Sequence, residues 1–152
     1  MRATNPLVLL AAAIAALAPL TAPRAAPPPA SALSVTDAWV RATPGADVAA
    51  AYMTLHNGGA QPLRVSGVRS PVAAHAMIHE TRLEGGKSIM RPHEPLAIPP
   101  GASVRLEPGG VHVMLAALAH PLAVGEQVPL ELLIEGGGSL AVSARVRPLN
   151  AE

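Results

Sequence analysis

The 152-residue sequence contains no cysteine and no phenylalanine, and it has one Trp and one Tyr. Without thiols there is no disulfide, no thiolate metal site and no attachment point for a lipid anchor. A small secreted domain often relies on a disulfide; this one must hold by packing alone. With so little aromatic bulk, the packing falls to Val, Leu, Ile and Ala, within the 50% of residues that are hydrophobic. Such a core buries less area per residue, so a compact but not exceptionally stable domain is expected. Charge is also scarce, at 14% of residues and a formal net +1, which gives no footing for nucleic acid. There is no Gly-x-Ser-x-Gly elbow, no paired-carboxylate motif and no His-Glu-x-x-His, so hydrolytic chemistry finds no support. The length suits one domain.

The N-terminus reads as a secretory leader. Arg2 supplies the positive end, and residues 7–20 form an uncharged apolar run of signal-peptide rather than membrane-span length. Ala30-Ser-Ala32 offers the small residues that signal peptidase reads, leaving Leu33 as the first mature residue. Ala16-Leu-Ala18 is less suitable because Pro19 would follow the cut. Residues 21–29 are Pro/Ala-rich and expected to be extended. An uncleaved anchor is the alternative. The expected division is a leader over 1–32 and a mature domain over 33–152, with no membrane span in the mature part. Losing Arg2 and Arg24, and no acidic residue, takes the net charge from +1 to −1.

Beyond the leader, short β-rich segments alternate with Gly/Pro turns, and no long stretch carries a helical period. Strands are expected at 35–41, 49–56, 63–68, 74–82, 89–92, 104–106, 111–118, 128–135 and 140–146. The alanine-rich 48–51 and 72–76 have helical propensity, which the surrounding pattern overrides. Many short strands with such punctuation predict an all-β sandwich or barrel.

Four residues carry the chemistry. His79, Met90, His112 and Met114 form the pattern His-x10-Met-x21-His-x-Met. Two imidazoles and two thioethers make a soft donor set that suits Cu(I) and serves zinc, magnesium or calcium poorly. In Val111-His-Val-Met-Leu115, strand alternation turns His112 and Met114 one way and the aliphatic residues the other. His79 and Met90 are symmetric about Glu84-Gly85, and a hairpin centred there would set them face to face, about 5 Å apart at Cβ. Gly85-Gly86 as the turn centre would shift that pairing by a rung.

The chain resembles the periplasmic copper chaperones of the PCu(A)C family. The likeness runs through Asp37-Ala-Trp-Val-Arg-Ala-Thr-Pro44, Ala51-Tyr-Met-Thr-Leu-His-Asn57, Ile78-His-Glu-Thr81, Ile98-Pro-Pro-Gly101, Leu106-Glu-Pro-Gly-Gly-Val-His-Val-Met-Leu115 and Pro121-Leu-Ala-Val-Gly125. The resemblance implies a Greek-key β-domain, cupredoxin-like or Ig-like, that acts in the periplasm and is not an enzyme; a monomer is the default expectation, with the oligomeric state open. It implies delivery of Cu(I) to copper sites of respiratory oxidases, alongside thioredoxin-like loading partners. Some relatives carry a His/Met-rich C-terminal tail; this sequence ends at Ala151-Glu152 without one. A copper redox protein is a weaker alternative, because blue-copper ligation needs a Cys. A metal-free Ig-like envelope domain would have to treat the spacing as accident.

Other donors invite blander readings. His75, Met77 and His79 alternate with Ala76 and Ile78, so a second soft-metal contact or an exchange ligand could form there; exposed strand residues beside the site are the simpler reading. His93 could approach a metal from a loop, and with His75 and Met77 it is a candidate for Cu(II). His56 and His120 read as polar strand-end and loop residues. Trp39 and Tyr52 read as core anchors, with the Tyr52 hydroxyl reaching a backbone partner. Asp37, Arg41 and Glu80 read as solvated strand faces.

Overall fold

The computed structural model describes residues 32–149. All of the expected leader except Ala32 lies outside them. Ten strands follow in order: β1 (Leu33–Ala42), β2 (Val48–Asn57), β3 (Leu63–Arg69), β4 (Ala73–Glu84), β5 (Lys87–Pro92), β6 (Leu96–Ile98), β7 (Ser103–Leu106), β8 (Val111–Leu118), β9 (Gln127–Ile134) and β10 (Ser139–Arg147). Each expected strand is present, and both alanine-rich segments contribute to strands, in β2 and β4. The addition is β6, whose three residues between Pro95 and Pro99 are too few to display an alternation. Among the described residues no helix is long and apolar enough to cross a membrane.

The strands hydrogen-bond in the order β5-β4-β8-β2-β1-β10-β9-β3-β6, with β7 paired to β2. Every ladder is antiparallel except β1 with β10. The order is not sequential, and the crossovers give a Greek-key β-sandwich in which both halves of the sheet share one core. One half supplies Val40, Ala51, Leu55, Ile78, Val113 and Leu115, and the other supplies Leu63, Val65, Ile98, Val128, Leu132 and Val146, all in one buried cluster. In β9, Val128, Leu130, Leu132 and Ile134 are buried and the residues between them are not, as one-sided burial requires. Pro129 is tolerated within this strand because the ladder to β3 ends at Arg69↔Glu131, leaving β10 as the neighbour there.

The core is aliphatic, as the composition requires, and the two aromatics lie outside it. Trp39 and Tyr52 are 7% and 2% exposed, yet neither belongs to the aliphatic cluster. They are cross-strand partners on β1 and β2, with ring centroids 4.6 Å apart, on the other face of the sheet. The expectation of buried anchors holds, but they anchor a second cluster outside the aliphatic one, packed against each other and against arginines. Arg147 sits 5.2 Å over the Trp39 ring. Arg41 donates to the Tyr52 hydroxyl at 2.7 Å, so Arg41 is not simply solvated and the hydroxyl has a side-chain partner rather than a backbone one.

Candidate metal centre

Three adjacent strands build the site. β4 lies between β5 and β8, and its ladder to β8 runs without a shift: Met77↔Met114, Ile78↔Val113, His79↔His112 and Glu80↔Val111. Ile78, Val113 and Leu115 point into the core at 1%, 0% and 0% exposure. The alternation then sets Met77, His79, His112 and Met114 on the opposite face. His79 and His112 form one rung, with ring centroids 6.3 Å apart and rings perpendicular.

The β4–β5 hairpin differs from the face-to-face register expected for His79 and Met90. Its turn centre is Gly85-Gly86, closed by Glu84↔Lys87, so His79 pairs with Pro92 and Met90 with Thr81. Gly85 and Gly86 adopt φ of +58° and +77°, the backbone of a two-residue type I′ turn. A turn centred on Glu84-Gly85 would force Glu84 into the left-handed region at a cost of about 1–2 kcal/mol. The shift of one rung keeps Met90 on the face of His79, because partners two residues apart share a face. Met90 becomes a diagonal neighbour of His79 on one side, and Met114 is the diagonal neighbour on the other. Diagonal Cβ pairs lie about 7–8 Å apart, within reach of long side chains. His79 is thus the hub of the set, with His112 directly opposite and one thioether to either side.

The two imidazoles are prepared differently. His112 is 6% exposed, and its Nδ1 lies 3.1 Å from the Gly110 carbonyl oxygen. A carbonyl only accepts, so Nδ1 carries the proton and Nε2 keeps its lone pair. Tyr52 packs beside this ring with centroids 6.4 Å apart. The Nδ1 of His79 is buried with no hydrogen-bond partner. Burial first, and then the neighbouring His112, hold the His79 imidazole below the ordinary histidine pKa of 6.5, with Glu94 opposing. A neutral ring with an unsatisfied buried nitrogen is the form that ligates a metal.

The thioethers differ in setting. Met114 is partly buried on β8, between Met77 on β4 and Ala50 on β2. Met90 is 50% exposed. The β4–β5 hairpin runs beyond the start of β8, where the Thr81 amide donates to the Gly110 carbonyl, and Met90 stands at the base of that overhang. Neither thioether belongs to the aliphatic core. Among the described residues no three His, Cys, Asp or Glu side chains cluster as a metal site. The donors that share this face are imidazoles and thioethers, a set that fits a soft monovalent ion.

The remaining candidates separate cleanly. His75 and Met77 share the donor face, at Ala116 and Met114 respectively. His93 does not: its amide donates to Ile78, which gives it the opposite parity from His79, and its Nδ1 lies 3.2 Å from a Glu80 carboxylate oxygen. His56 engages the Ser103 hydroxyl at 3.0 Å and His120 engages Glu126 at 2.8 Å, in keeping with their structural reading. Sequence reasoning missed three supports: Tyr52 against His112, the Gly110 carbonyl that orients it, and Glu94. The Glu94 carboxylate accepts the Ile78 amide at 2.8 Å, fixing β4 next to His79. Only knowledge of the strand register could have placed them.

The sequence matches the family described as "Putative lipoprotein LpqE-like" over residues 33–146. The solution structure of apo-DR1885 from Deinococcus radiodurans is 35% identical, with 97% of each chain covered and a TM-score of 0.61. The copper-bound PCuAC domain from PmoF2 is 25% identical, with 77% of this chain and 93% of that one covered and a TM-score of 0.65. The chain belongs to the PCu(A)C family. A further PCu(A)C structure, CuI-DR1885 from Deinococcus radiodurans, is 35% identical over 83% of each chain, with a TM-score of 0.62. A relative from Leifsonia xyli subsp. xyli (strain CTCB07), "Putative lipoprotein Lxx21020", is 32% identical over 76% of this chain and 69% of its own length.

Proposed function

We propose that this PCu(A)C protein is an exported copper chaperone that binds one Cu(I) through His79, Met90, His112 and Met114 and passes it to an acceptor. The observation that carries the reading is the rung itself. His79 and His112 are direct cross-strand partners, a methionine lies diagonal to His79 on either side, and the His79 Nδ1 is buried without a partner. Relatives of the same family have been solved with copper or Cu(I) bound, which supports the choice of ion.

The chemistry suits cargo rather than catalysis. Cu(I) has a closed shell and no planar preference, so a four-donor set on a curved sheet can hold it, whereas Cu(II) prefers tetragonal N/O ligation. Thioethers exchange readily, and the half-exposed Met90 is accessible to an incoming ligand. The acceptor would be a copper-site subunit of a respiratory oxidase in the periplasm, with a thioredoxin-like protein as loading partner. The 1–32 leader provides the export route, and the lipoprotein descriptions of relatives agree with export. Removal of the leader would leave Leu33, the first residue of β1, near the new N-terminus.

The test is Cu(I) titration of the apo protein against a competing chelator, joined to X-ray absorption on the loaded form. One equivalent bound through two sulfur and two nitrogen donors is expected, with the binding weakened when Met90 and Met114 are both replaced by Leu. No stoichiometric uptake, or uptake indifferent to that double replacement, overturns the proposal.

A further inference from the structure

The donor face continues past the four residues. Of the five methionines in the sequence, Met53 packs in the aliphatic core, while Met77, Met90 and Met114 all lie on the donor face by register. Met77 is the direct cross-strand partner of Met114, a closer relation than that of Met90 to either histidine. It fills no gap in the aliphatic cluster, which is the ordinary reason to find a methionine in a sheet. His75 follows on the same face, opposite Ala116, and is exposed.

The histidines sort the same way. His56, His93 and His120 are each tied to a Ser or Glu side chain, and His112 is tied through Nδ1. Among the described residues, His75 and His79 have no side-chain hydrogen bond or ion pair. Strand β4 therefore carries His79, Met77 and His75 in a line, two residues apart, from the partly buried His79–His112 rung outward to solvent. Neighbouring donors along that line lie about 6–7 Å apart at Cα, a distance that long thioether side chains can bridge.

Resting on the copper-binding reading above, we propose that His75 and Met77 form a second, weaker Cu(I) position one rung along the sheet, with Met114 the sulfur common to both. It is an exchange port: Cu(I) keeps Met114, trades His79 and His112 one at a time for Met77 and His75, and gives up Met90 before it reaches a competing ligand. The copper stays Cu(I) throughout, and His75 would ligate as the neutral ring.

The experiment uses protein labelled with ¹³C at the methionine methyls, titrated anaerobically with Cu(I). Its copy carrying both His75→Ala and Met77→Leu is followed alongside. The first equivalent should shift the Met90 and Met114 methyls. The second should bind at least tenfold more weakly, shift Met77, and be lost in the double variant, which keeps the first equivalent within about twofold. Transfer of the first equivalent to excess bicinchoninate should slow at least threefold in that variant. A Met77 methyl unmoved through two equivalents, or a transfer rate unchanged in the variant, overturns the port. A first equivalent that moves Met77 in place of Met90 overturns it too, by making Met77 part of the main set. If the first equivalent binds through Met90 and Met114 and Met77 still stays silent through the second, the port alone falls. If no equivalent binds, the copper-binding reading itself has failed.

Discussion

In the proposed site Met90 and Met114 would offer the same thioether to the same ion, yet replacing them should not cost the same. Fixing a free methionine side chain costs about 1.5–2 kcal/mol of rotamer entropy. Met114 lies on β8 with a strand on either side, opposite Met77 and Ala50, so about half of that loss is already taken in the apo fold. Met90 is 50% exposed at the base of an overhanging hairpin, and it bears nearly all of its ordering cost when copper arrives. The difference is about 1 kcal/mol, or roughly fivefold in dissociation constant. Met114→Leu should therefore weaken Cu(I) binding about fivefold more than Met90→Leu does, in parallel competition titrations against one chelator. Equal losses, or a larger loss at Met90, would refute the argument from preorganisation.

Other outcomes follow from the same geometry. The His79 pKa is lowered on folding by burial and by His112, so below about 6.5 the unfolded chain takes up the proton first. The apo protein should then lose urea stability as pH falls from 7 to 5, less steeply in His79→Gln; parallel slopes would show that this ring is not the group concerned. Gly86, at φ +77° with open space around its Cα, should tolerate Val sterically but lose about 1–2 kcal/mol of hairpin stability through its backbone. Hydrogen exchange in β5 should rise while β9 stays protected; unchanged β5 protection would count against the turn assignment. Asn57 is fully buried and donates to the Gln61 and Ile98 carbonyls while accepting from the Gly59 amide. Asn57→Ala should cost about 3 kcal/mol in urea unfolding, since three partners lose their bond; a loss under about 1 kcal/mol would mean that water replaces them.

The strands and the two faces of β8 were legible because their signals are local. Val111-His-Val-Met-Leu115 declares its alternation within five residues, and turns containing Gly or Pro separate the runs. The hairpin register was ambiguous in sequence, since Glu84-Gly85 and Gly85-Gly86 both resemble turns; the backbone conformation decided between them. Strand β6 escaped notice because three residues cannot show a period. Trp39 and Tyr52 were assigned to the core because large apolar side chains are usually buried there. They are indeed buried, but on the opposite face: the alternation of β2 sets this for Tyr52, and the shift between Thr36 and Trp39 in the β1–β2 ladder sets it for Trp39. Asp37 has φ +53° at that irregularity; Asp tolerates that backbone, but a single Asp inside a strand-like run does not announce a bulge. Glu94 and Gly110 act through positions set by partner strands distant in sequence, so no local pattern could have revealed them.

Because the proposed donors stand on ladder rungs rather than in loops, the proposed site would have an uneven tolerance for insertions and deletions. The stretch between His79 and Met90 is two paired strands and a two-residue turn, and one residue added within either strand would throw Met90 to the far side of the sheet. The longer stretch from Met90 to His112 leaves this sheet half, adds β6 beside β3 and β7 beside β2, and returns through the Glu107–Gly110 turn. Extra residues at its bends can be absorbed without moving a donor, so the shorter interval is the one that measures out the binding geometry.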